Sequence, residues 1–107
     1  MASFYKNAKV DLTSTDVTTL YTAPAATTAI FRSLVVADDS GSTSTITVTL
    51  TDSASAVFVL YSVKATVASA TVELLTQPLV VQESEILKVT AANANRLHVI
   101  GSYLEIT

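Results

Sequence analysis

The chain has 107 residues, half of them apolar and 14% charged, with a net charge of −3 and a mean hydropathy of +0.49. That length is one domain's worth, so residues 1–107 read as a single β domain. The sequence holds no cysteine, two glycines and one histidine. Disulfide scaffolds, thiolate nucleophiles, Cys-ligated zinc and Gly-rich phosphate loops are therefore excluded.

Threonine, valine and isoleucine supply 17, 14 and 5 residues, about a third of the chain. Branching at Cβ stiffens χ1 and suits a pleated surface better than a helix. Runs of these residues predict strands at 8–13, 17–22, 28–38, 44–52, 56–64, 67–74, 78–82, 85–91 and 96–106. The pattern predicts an all-β fold, an antiparallel β-sandwich or small barrel of about eight strands.

In chain order, the opening MASFYKNAKVDL lacks the charged start and unbroken apolar run of a secretory leader. Residues 1–12 are expected to be an extended N-terminal arm or a first strand, with Phe4 and Tyr5 beside Lys6 and Lys9 suited to lie on an acidic neighbour. Pro24 ends the second strand. The third is apolar on both faces: Phe31 and Val35 oppose Ile30, Leu34 and Val36. Asp38, Asp39, Ser40 and Gly41 are strong turn formers, which predicts a hairpin between the third strand and the fourth. In the fourth, Ile46, Val48 and Leu50 alternate with Thr45, Thr47, Thr49 and Thr51, one face buried and one not. An ice-matching threonine array would need this ladder repeated on neighbouring strands, and no other segment repeats it.

The fifth strand carries Val57, Val59, Tyr61 and Val63 on one face and Phe58 and Leu60 on the other. Residues 65–75 are the one place where a helical turn fits. Asn93 and Asn95 predict a second hairpin turn, since asparagine tolerates left-handed backbone. Gly101 interrupts the last strand, where Leu97 and Val99 share one parity and Leu104 and Ile106 the other, so a bulge at Gly101 is expected to bring both pairs to the core. Two-faced strands in so short a chain exceed what one core can cover, which points to subunit contacts. The candidate interface is Phe4, Tyr5, Phe31, Val35, Phe58 and Leu60.

Chemistry-bearing groups are sparse. His98 is the lone imidazole and reads as a half-exposed strand residue; no G-x-S-x-G elbow accompanies it. Asp38 with Asp39, and Glu83 with Glu85, read as turn residues. No catalytic residue, metal site or cofactor is expected, and the chain is read as not an enzyme. Lys6, Lys9, Arg32, Lys64, Lys88 and Arg96 are scattered, which predicts no nucleic-acid partner. No window approaches the roughly 20 apolar residues of a membrane span, so no membrane partner is expected either.

Two segments carry a family resemblance: LYTAPAATTAIFRSLVVAD at residues 20–38 and LHVIGSYLEIT at residues 97–107. A Leu-Tyr-Thr strand, a Pro-containing turn, a Thr-rich strand entering Ser-Leu-Val-Val-Ala, an acidic turn and a Ser-Tyr-Leu-Glu-Ile terminus together resemble short virion structural proteins of tailed bacteriophages, of the kind common in marine phages and cyanophages. The resemblance implies a β subunit made in the host cytoplasm and assembled on the virion, as a capsid decoration or cement protein. It equally covers a neck or tail component. The implied partners are copies of the chain itself, as a homo-oligomer and often a trimer, and a major capsid or other virion protein. A receptor- or sugar-binding β module of a tail fibre or adhesin is the alternative, expected to bring Tyr61 or Tyr103 into a groove with Glu83.

Overall fold

A computed structural model describes residues 2–107, and these form nine strands and no helix. They are β1 (Ser3–Leu12), β2 (Thr18–Thr22), β3 (Thr28–Asp38), β4 (Thr45–Thr51), β5 (Val57–Ala65), β6 (Thr71–Glu73), β7 (Leu79–Val81), β8 (Ile86–Ala91) and β9 (Leu97–Ile106). Two antiparallel sheets result. One runs β1-β9-β3 with β6 and β7 both on the far side of β3, and the other runs β2-β8-β4-β5. They face each other as a β-sandwich, all-β as the composition implies. Residues 65–75 hold the short strand β6 and turns rather than a helical turn.

The connections differ from expectation. β3 and β4 lie in different sheets, so the turn at residues 38–41 is an arch across the sandwich and not a hairpin. The Asp38 carboxylate, buried at the arch, accepts from the Ser40 amide at 3.0 Å and the Ser40 hydroxyl at 2.8 Å. Asn93 and Asn95 likewise lead from β8 in one sheet to β9 in the other, with Asn95 in left-handed backbone at φ 61°. Asn95 donates its amide to the Leu12 carbonyl, and Arg96 donates through Nη1 to the Thr43 carbonyl, stitching this end together. Turn chemistry sets where a chain reverses; which sheet receives the next strand depends on distant partners. The one hairpin between consecutive strands is β4–β5, through residues 52–56.

Across the core, Ile46, Val48 and Leu50 of β4 stand beside Ala91, Val89 and Leu87 of β8. Against them pack Leu34, Val36, Leu97, Val99 and Phe31 of the other sheet, all fully buried. Each such side chain contributes roughly 1.5–3 kcal/mol by leaving water. Thr45, Thr47 and Thr49 of β4 are half-exposed on the outer face and Thr51 is buried; Thr90 of β8 stands opposite Thr47, but Lys88 and Ile86 oppose Thr49 and Thr51. The array is therefore broken by a cation and an aliphatic.

The expected bulge at Gly101 is absent. β9 pairs with β1 without a break from Ser3↔Ile106 to Leu12↔Leu97, so its inward residues are Leu97, Val99, Gly101, Tyr103 and Glu105, while Leu104 and Ile106 face out. The extra residue sits in the partner strand: Phe31 pairs with Tyr103 and Ser33 with Ser102, leaving Arg32 unopposed. This bulge turns both Phe31 and Leu34 inward. Gly101 is needed for space, because a Cβ there would lie 2.6 Å from Phe31 Cε2. The Phe31 ring fills that room, stacked on Tyr103 at 4.8 Å and edge-on to Tyr21 at 5.4 Å.

Candidate functional site

The largest apolar exposure lies along β5, the open edge of its sheet. Val57, Phe58, Val59 and Val63 are 61, 53, 59 and 65% exposed. Phe58 stands opposite Leu50 on the inner side, beyond the reach of the other sheet, while Val57 and Val59 stand opposite Thr51 and Thr49 on the outer side. The ladder to β4 slips twice. Leu60 is extra between Val59 and Tyr61, and Ser62 with Val63 spans the gap before Lys64. Val63, β-branched, takes φ 50°, and its amide donates to the Thr47 hydroxyl instead of to a ladder carbonyl. Tyr61 turns inward and its hydroxyl donates to the Leu74 carbonyl. Beside it a groove of about 210 Å³ is lined by Leu60, Leu75, Pro78 and Leu79 together with the polar Thr76 and Gln77.

A second apolar surface crosses the outer face of the other sheet. Register places Tyr5, Leu104, Ile30 and Val80 side by side on four strands. Val35 and Ile100 pair on the same face, flanked by Lys9 and Glu73. Of the six candidate interface residues, Phe4, Tyr5 and Phe58 are exposed and Val35 and Leu60 half-buried. Phe31 is the exception. The bulge at Arg32 puts it fully inside, and Ile30 takes the outward place assigned to it.

Near the start of β1, Glu105 is a buried carboxylate that accepts from Lys6 Nζ at 2.7 Å and from the Tyr21 hydroxyl at 2.7 Å. The Lys6 hydrogen bond, then that of Tyr21, holds Glu105 below the usual carboxylate value against the opposing effect of burial. The same hydrogen bond raises Lys6. Burial first, and then the hydrogen bond to Glu105, pushes the Tyr21 phenol far above its ordinary value, and burial raises Tyr103. Lys6 also lies 5.8 Å from the centroid of the Phe4 ring. The cluster is a clamp on β1 rather than a reactive centre, because the Glu105 carboxylate is already taken by Lys6 and Tyr21. Sequence reasoning missed Glu105; the signal was Tyr103 sharing the parity of Leu97 and Val99, which carries the inward face on to Glu105.

His98 is half exposed on the outer face, with Nε2 3.2 Å from Asp11 and 3.8 Å from Asp39. No group of three metal-ligating side chains occurs among the described residues. The depressions lined by Tyr61 and by Tyr103 contain no carboxylate, so neither brings an aromatic together with Glu83. The one that Tyr103 borders is a trough of about 510 Å³ with Tyr5, Asn7, Ser102 and the bulge residue Arg32 around it.

Comparison with family models, with curated proteins and with solved structures found no match.

Proposed function

We propose that the chain is a non-enzymatic structural protein of a bacteriophage virion, decorating or cementing the capsid shell through apolar and strand-edge contacts. The observation that carries this reading is apolar surface left open in two places on different sheets: the β5 rim, and the row of Tyr5, Leu104, Ile30 and Val80. A subunit with two such surfaces can hold a copy of itself with one and a shell protein with the other. The resemblance of residues 20–38 and 97–107 to phage virion proteins supplies the class of particle. A reconstruction of the particle is the test. Hundreds of copies on the shell are expected; about a dozen or fewer at a portal or tail would assign the neck or tail instead, and absence from the particle would overturn the reading.

For a receptor-binding module the favouring feature is the trough of Tyr5, Asn7, Ser102 and Arg32, where an aromatic ring stands beside hydrogen-bonding groups and a cation. A glycan array with no binder removes that alternative.

A further inference from the structure

We propose that β5 is a homodimer contact: two copies meet antiparallel across a two-fold axis at Phe58, joining their four-stranded sheets into one continuous sheet. The free edges of the molecule are not equivalent. β1 is long and regular but carries Lys6 and Lys9, the side chains that block edge pairing, and β2 is only five residues long. β5 has no charge before Lys64, and it pairs with β4 alone. Its alternate amides and carbonyls face outward beside exposed valines, a template for another strand.

The sequence also fixes the axis. Residues 57–59 are the straight stretch between the turn at residues 52–56 and the extra residue Leu60. An axis at Phe58 sets Val57 of each copy against Val59 of the other on the outer face, and the two Phe58 rings together on the inner face. An axis at Val59 would draw the Leu60 bulge into the pairing. At roughly 100 Å² for each of the four exposed side chains and about half that for the half-buried Leu60 and Tyr61, the rim offers on the order of 500 Å² per copy. A pair that covers all of it buries about 1,000 Å², the lower limit for a specific interface.

The pairing does not depend on the virion reading, and the experiment separates the two. Sedimentation equilibrium of the whole chain through the micromolar range is expected to show twice 11.2 kDa, falling to the monomer for Val59→Lys and unchanged for Tyr5→Lys. Because the chain has no cysteine, Phe58→Cys introduces a single thiol on the axis, where facing Cα atoms lie about 4.5–5.5 Å apart, within disulfide range. Mild oxidation of dilute protein should cross-link Phe58→Cys and leave Tyr5→Cys monomeric. A wild-type monomer, a trimer, or equal cross-linking at both positions overturns the proposal. So does a monomer that loses particle binding on Val59→Lys, which would give the rim to a shell protein and leave the virion reading standing. A dimer absent from every particle sustains the pairing and removes the virion reading.

Discussion

The same backbone device has opposite consequences in two strands. In β3, which lies between β9 and the β6/β7 edge, one extra residue at Arg32 reverses the side-chain parity and drives both Phe31 and Leu34 into the core. β2 does likewise: the shift between Thr19 and Tyr21 leaves Leu20 and Tyr21 both buried. In β5 the slip at Ser62 and Val63 leaves Val63 in water, as the unbroken stretch Val57–Val59 is, because the other sheet does not cover this rim. A bulge buries apolar residues only where a second layer is waiting to receive them; at an uncovered rim it leaves them for a neighbour.

The two phenylalanines break or sharpen that comparison most directly. Phe31→Ala empties a fully buried site and should cost roughly 3–5 kcal/mol in urea unfolding. Phe58→Ala, measured where the chain is monomeric, should stay within about 0.5 kcal/mol. Equal losses would mean that the β5 rim is covered within one chain. Next in size is Gly101→Ala, whose methyl group would sit 2.6 Å from Phe31 Cε2 and should cost about 1–3 kcal/mol. Phe31→Leu in the same chain should recover part of that loss, since the two sites share one space and cannot be additive. Additive losses would show that Gly101 is required for its backbone rather than for the ring.

Strand positions were legible in the sequence because runs of valine, isoleucine and threonine carry their own conformational preference. The face of each strand was legible where the period of two ran unbroken, as it does from Thr45 to Thr51. It failed at residues 31–34, where the inserted residue lies in β3 while the glycine that accommodates it lies in β9. Pattern along one strand cannot show which of two partners carries the extra residue, so Phe31 was placed outside and Leu104 inside. The arches at residues 38–41 and 93–95 were legible as turns, yet not as changes of sheet. Of the candidate site, the β5 residues could be read from their lack of charge. The row of Tyr5, Leu104, Ile30 and Val80 could not, because it exists only through the pairing of four strands distant in sequence.

Because β9 has no bulge, Glu105 faces inward, and a smaller effect follows from its charge. Its pKa is depressed in the folded chain by the hydrogen bonds from Lys6 and Tyr21, so it contributes stability that is present above the unfolded value, near 4.5, and lost as pH falls through the lower folded value. The raised values of Lys6 and Tyr21 act at the other end: their contributions are complete below the ordinary lysine and phenol range and are lost only as strong alkali is reached. Glu105→Gln keeps the shape and removes the charge. At pH 7 it should lower stability by about 1–2 kcal/mol, the scale of a hydrogen bond from the buried Tyr21 hydroxyl to an ionised acceptor. Urea midpoints of the two proteins should begin to converge below about pH 4.5, where the unfolded carboxylate takes up its proton, and meet below the lower folded value. Parallel curves down to strong acid would mean that folding leaves the pKa of Glu105 unchanged, so that its charge contributes nothing to holding β1.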